Sequence, residues 1–192
     1  MYKYRKNRGF KPVENEGYLM YEDDIFVEEM VVRRKTILNF LATAGMILAG
    51  LVLIVLVWLV VPFISTVLII IVGFAVYLGI RFQYVEYEYS FTNGDLDIDK
   101  IMAKRKRTRE LEINQRQIRV MAPYTAEFES ETRDYKVSEV KDFSSHKNAA
   151  GRWFFIYEKT DGGYAFVVIQ PSVKLREAMA KYMRSRIKGM TK

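Results

Sequence analysis

From Thr36 to Ile80 the chain runs for 45 residues without one Asp, Glu, Lys, Arg or His. As one helix that run would be about 68 Å long at about 1.5 Å per residue, twice the hydrocarbon thickness of about 30 Å in a bilayer. It must therefore fold back. The one proline in the run, Pro62, sits near its middle between Trp58 and Phe63, where a missing backbone donor breaks or kinks a helix. Two spans are predicted, about 37–60 and 63–80, joined by a tight turn at Val61-Pro62. The competing readings are one kinked span with an interfacial arm, or two helices buried in a soluble core. The complete absence of charge favours the hairpin.

Orientation follows from the basic residues next to the spans. Arg33, Arg34 and Lys35 precede the first span, Arg81 follows the second, and the turn is uncharged, so both termini are expected in the cytoplasm, with the hairpin in the plasma membrane. The first 30 residues are polar and mixed in charge, unlike a cleavable signal peptide, so the first span is expected to remain in the mature protein. No ionisable group lies inside either span, which argues for an anchor and against a proton relay or ion pathway. Small residues mark a candidate packing face: Gly45 and Ala49 are four apart, as are Ala75 and Gly79. Folding about Pro62 brings Ala49 level with Gly73 and Thr43 level with Gly79. The plainer reading is that Gly and Ala are common in spans.

Composition closes off most chemistry. The chain has no cysteine and one histidine. Thiolate zinc sites, iron–sulfur clusters, cysteine nucleophiles and His-based metal clusters are excluded, and no metal or cofactor is expected. The net charge of +7 is unevenly spread. Residues 1–35 carry eight basic groups against seven acids, leaving the excess of +6 for residues 81–192. A basic domain beside a membrane points to anionic lipid rather than nucleic acid.

Residues 1–23 are mixed and aperiodic and read as a disordered tail. From Asp24 a juxtamembrane helix is predicted to run into the first span. Asp23 and Asp24 can cap it, Glu28 and Glu29 lie in its early turns, and Arg33 to Lys35 lie in its last, the order that suits a helix dipole.

After Arg81 the period changes to two. Val85, Tyr87, Tyr89 and Phe91 alternate with Glu86, Glu88 and Ser90; Asn93-Gly94 supplies a two-residue hairpin turn; Leu96 and Ile98 then alternate with Asp95, Asp97 and Asp99. In this register Phe91 faces Leu96, Tyr89 faces Ile98, and Glu88 opposes Asp99. Like charges directly opposite are unfavourable, so that face needs water or basic neighbours, which the run from Lys100 to Arg109 contains. The alternating acids are not a calcium loop, because Lys100 and Lys106 stand where that motif needs glycine and glutamate. Further strands are predicted at 107–113, 124–130 and 135–143, with 118–121 open between strand and helical turn. Trp153 to Tyr157 and Tyr164 to Gln170 form a last pair about Asp161-Gly162-Gly163. An amphipathic helix over 172–188 closes the domain.

The hairpin Tyr89-Ser-Phe-Thr-Asn-Gly-Asp-Leu-Asp-Ile98, then Leu111-Glu-Ile113 with Ile118, and finally Val168-Ile-Gln-Pro171 with Leu175, resemble the bacterial pleckstrin-homology (PH)-like domains that follow a two-span hairpin in small Gram-positive membrane proteins. The resemblance covers about residues 37–188. It implies a membrane α-hairpin followed by an α+β domain over 81–192, an antiparallel β-sandwich or partly open barrel closed by the C-terminal amphipathic helix.

One surface element invites a binding role. Lys104, Arg105, Lys106, Arg107 and Arg109 place five cations in six positions beside the membrane. They form a headgroup-binding loop, or a solvated turn that neutralises the acidic strand face. His146 lies in Phe143-Ser-Ser-His-Lys-Asn but lacks the glycine context of a strand-to-helix nucleophile turn, and Trp153 with its aromatic neighbours reads as core rather than a stacking platform. The expectation is a non-enzymatic membrane protein whose cytoplasmic domain binds a membrane or cytoplasmic protein, or anionic lipid headgroups. The alternatives are an accessory subunit of a membrane complex, and an enzyme built on Glu86, Glu88, Asp97 and Asp99.

Overall fold

The computed structural model describes residues 24–190, so the tail predicted for residues 1–23 lies outside the described residues. The first element overturns a prediction. Residues Phe26–Val32 form a strand, β1, where a juxtamembrane helix was expected. Its register partners run from Thr92, opposite Phe26, to Glu86, opposite Val32. The helix reading rested on caps and charge order, each worth about 1 kcal/mol or less. A seven-residue ladder that buries Val27 outweighs them.

Two helices follow, α1 (Ile37–Val60) and α2 (Ser65–Phe82), each long and apolar enough to cross a membrane. Pro62 ends the first as expected: Val61 N–H donates to Val57 O, and Ser65 Oγ donates back to Pro62 O. Only Gly50 in α1 and Ser65 in α2 are buried, so these are not core helices of a soluble domain.

The chain then re-enters the sheet it left. Strands β2 (Val85–Thr92), β3 (Asp95–Met102) and β4 (Lys106–Asn114) join β1 in an antiparallel sheet of order β1-β2-β3-β4. The Asn93-Gly94 turn pairs Phe91 with Leu96, Tyr89 with Ile98 and Glu88 with Asp99, the register read from the sequence. The second sheet contains β5 (Ile118–Pro123), β6 (Val137–Asp142), β7 (Trp153–Glu158) and β8 (Tyr164–Ile169) in the order β5-β7-β8-β6. Here β6 runs parallel to β8, so this layer is mixed rather than purely antiparallel. The open segment 118–121 is strand. The strand expected over 124–130 is instead a 3-10 turn, Ala126–Thr132, which brings Phe128 onto the outer cluster of Val120, Phe154 and Ile156.

Tyr89, Phe91, Leu96 and Ile98 from the first sheet meet Met121, Phe155, Val167 and Ile169 from the second in the main core. Tyr89 also ties the layers together by donating from Oη to Phe143 O at 2.7 Å. Helix α3 (Val173–Met183) closes this sandwich with buried Leu175, Ala178, Met179 and Met183. Its N-cap, Ser172, accepts from Leu175 N–H. The helix ends at Met183, earlier than expected, because a 3-10 turn over Arg184–Arg186 carries the chain back to β5, where Lys188 N–H donates to Met121 O. The apolar face of α3 therefore sits on protein. The sheets do not close into a barrel.

Candidate functional site

The outer face of the first sheet contains the conflict visible in sequence. Glu88 and Asp99 are direct neighbours and both are buried. Strand β4 resolves it. Arg107 donates to Glu88 and lies 3.5 Å from Asp99, while Arg109 reaches Asp99 at 2.9 Å, Asp97 at 3.1 Å and Glu112 at 3.1 Å. Burial pushes the Glu88 carboxyl above its ordinary range, opposed by Arg107 and reinforced by Glu28 and Asp99. Burial does the same to Asp97, against the pull of Arg109. The hydrogen bond to Asp99, and then that to Glu112, raises the Arg109 guanidinium further. Arg107 and Arg109 are thus committed to the sheet. So are the four carboxylates weighed as catalytic: Glu86 accepts from Tyr84 Oη at 2.9 Å, and Glu88, Asp97 and Asp99 accept from the two arginines.

The other three cations stand differently. Lys104, Arg105 and Lys106 are exposed and make no ion pair among the described residues. Lys106 opens β4, and Lys104 and Arg105 belong to the β3–β4 turn, in which Met102 O accepts from Arg105 N–H. Its two central residues, Ala103 and Lys104, have φ of 53° and 58°. A hairpin turn of this kind normally uses Asn-Gly, and the β2–β3 turn does, with Asn93 at 49° and Gly94 at 99°. Alanine and lysine in this region cost about 1 kcal/mol each. The surroundings hold them there: buried Ala103 donates its N–H to Tyr84 O at 2.9 Å, and Lys104 Nζ sits 5.4 Å from the Tyr84 ring centre.

Tyr84 lies two residues past the end of α2, so the turn is fastened to the foot of that helix. Between them is a cleft of about 270 Å³, with Leu78, Phe82 and Ala103 as apolar lining and Arg81, Arg105 and Lys106 as cationic lining. Arg81 donates to Tyr77 Oη at 3.1 Å, one turn back along the helix. In the sequence Arg81 marks only the orientation of the spans. Its place beside the cation run was not readable, because strand pairing and the Tyr84 contact create it.

The helix contact also differs from expectation. Gly45 and Gly73 have no heavy atom within 4 Å of where a Cβ would lie, and Ala49 is exposed. The close approaches are at Gly50, where a Cβ would lie 2.7 Å from Val76 Cγ2, and at Gly79, where it would lie 2.8 Å from Met46 Sδ. The expected pairs, Ala49 with Gly73 and Thr43 with Gly79, are centred on residue 61, earlier in the chain than the observed contacts. The link between the helices occupies residues 61–64, so Gly79 meets Met46 rather than Thr43, and Thr43 Oγ1 instead reaches Gln83 Oε1 at 3.2 Å.

The remaining motifs are structural. Ser144 Oγ donates to Asp142 at 2.6 Å, but the His146 ring accepts from Asn148 N–H through Nδ1, so no nucleophile relay forms. Trp153 is buried, with Arg176 stacked 5.0 Å from its ring centre. No group of three or more His, Asp or Glu capable of holding a metal occurs among the described residues.

Two four-stranded layers closed at one end by a C-terminal helix, with a helical hairpin inserted between the first two strands, define a PH-like domain with two candidate membrane helices. The bacterial PH-like domain family DUF6106 matches residues 23–189, and the chain belongs to it. The match begins beside β1 and so takes in the hairpin as well as the β domain. No curated protein and no solved structure matches the chain.

Proposed function

We propose that this chain is a non-enzymatic, membrane-anchored binding module of the plasma membrane, with both termini cytoplasmic, whose PH-like domain engages the anionic headgroups of the leaflet from which the hairpin emerges. The observation that supports this reading is the β3–β4 turn. Among the described residues Lys104, Arg105 and Lys106 make no ion pair at the foot of α2, while Arg107 and Arg109 neutralise the sheet. Each cation near an anionic surface is worth about 1 kcal/mol, so three together hold the domain down at moderate salt.

The test uses the full chain in nanodiscs of phosphatidylcholine alone and of phosphatidylcholine with phosphatidylglycerol. Hydrogen exchange of residues 102–107 is expected to slow in the anionic discs, and the K104A/R105A/K106A variant is expected to lose the difference. Equal exchange in both lipids would remove the reading. A second reading, docking of a protein partner or service as an accessory subunit, is favoured by the second sheet, where Val140 is 70 % exposed beside Tyr124, Phe166 and Val168. Crosslinking from Val140 in intact membranes separates the two.

A further inference from the structure

We infer that the cleft at the foot of α2 is a stoichiometric site for one anionic phospholipid, with its phosphate among Arg81, Arg105 and Lys106 and the root of its acyl chains on Leu78 and Phe82. The inference rests on the membrane-anchored reading above and goes further, from attraction of a surface to capture of a single molecule. Cations and apolar groups share this one cleft, which is the composition that an amphiphile with an anionic head requires. A free anion has no use for the apolar lining, and a neutral lipid has no use for three cations.

The depth fits. Helix α2 has 18 residues, about 27 Å at about 1.5 Å per residue, close to the hydrocarbon thickness of about 30 Å. Phe82, its last residue, then lies at the boundary where phosphates begin. Arg81 is steadied there by its bond to Tyr77 Oη, and tyrosine favours that depth. The opposing effect is small by comparison. The C-terminus of α2 has about half a negative charge, against three full positive charges around the cleft.

The site is also built rather than incidental. The turn that supplies Arg105 and leads into Lys106 at the start of β4 keeps two non-glycine residues in the left-handed region, and the Ala103 N–H to Tyr84 bond holds it on the helix foot. Strain of this sort persists where the surroundings impose it, and it fixes the cations relative to α2.

The test is native mass spectrometry of the full chain released from discs of phosphatidylcholine with one-fifth phosphatidylglycerol, paired with the exchange measurement above. One phosphatidylglycerol per chain is expected to be retained. Retention is expected to fall about tenfold or more in R105A/K106A, while R116A/K174A, which removes two exposed cations elsewhere, leaves it unchanged. Equal loss in both variants, or no lipid retained by the wild-type chain, overturns the single-lipid site. If the turn is still protected in anionic discs, surface attraction survives; if it is not, both readings fall together. Glycerol phosphate added to neutral discs is the last arm. Protection equal to that given by phosphatidylglycerol would show that the site takes a free phosphate and that the apolar lining contributes nothing, which also overturns the lipid assignment.

Discussion

The Arg33 guanidinium donates to the Tyr87 hydroxyl at 2.8 Å, although both long apolar helices lie between the two residues in the chain. The ladder beside them is continuous, since Arg33 N–H donates to Val85 O and Val32 faces Glu86. The hairpin is therefore an insertion between neighbouring strands, and its two feet are held by one sheet. Burial, opposed by Arg33, raises the Tyr87 hydroxyl above the usual phenol range, so it stays protonated at neutral pH.

A disulfide would report this insertion directly. Ile25 and Asn93, and Arg33 and Val85, are joined by backbone hydrogen bonds, so Glu28 and Ser90 fall at a non-hydrogen-bonded pair, where Cα atoms lie about 4.5 Å apart. The chain has no native cysteine. The E28C/S90C variant is expected to oxidise to a single intramolecular disulfide, seen as a mobility shift reversed by reductant. A helix over 24–35 would leave both thiols free.

Removing Arg107 exposes the conflict that it settles. Arg107→Ala leaves Glu88 and Asp99 buried and facing each other. A loss of about 2 kcal/mol is expected, below the range for fully buried pairs because Arg107 is half exposed and Arg109 still reaches Asp99. Thermal denaturation of the full chain in detergent measures it, and adding Glu88→Gln is expected to recover part of the loss. An unchanged midpoint would mean that water serves as well as the guanidinium.

The pH dependence of Glu88 runs against the usual carboxylate pattern. Burial raises it in the folded state above its ordinary value of 4.5, so the folded chain holds that proton more tightly than the unfolded chain. Its contribution to stability is complete below about pH 4.5 and is lost as pH rises through the higher folded value. Glutamine cannot ionise. The melting temperature of Glu88→Gln, relative to the unsubstituted chain, is therefore expected to improve as pH goes from about 4 to 7. A difference that moves the other way would show that Arg107 outweighs burial.

The glycines of the hairpin should separate by contact rather than by spacing. Gly50→Ala presses a methyl group against stiff, branched Val76, with an expected cost of about 1–3 kcal/mol. Gly79→Ala meets only the flexible end of Met46 and is expected to cost less. Gly45→Ala and Gly73→Ala meet nothing within 4 Å and are expected to be neutral. Melting of the four variants in one detergent gives the order, and a loss at Gly45 equal to that at Gly50 would contradict the packing.

What could be read from the chain alone was whatever its physics keeps local. Forty-five uncharged residues with one proline specify two apolar helices, because charge and backbone satisfaction act residue by residue. Asn93-Gly94 sets the register of β2 and β3, because a two-residue turn leaves one pairing. Only the tertiary structure decided the rest. Phe26–Val32 has the caps and charges of a helix, and becomes a strand because its partner, across the hairpin, offers a ladder that no local window contains. The five cations read as one run, yet alternation along β4 and the tether to Tyr84 assign Arg107 and Arg109 to the sheet and Arg105 and Lys106 to a cleft with Arg81. Those assignments come from contacts between residues far apart in sequence, whose energies exist only once the two sheets and the hairpin are in place.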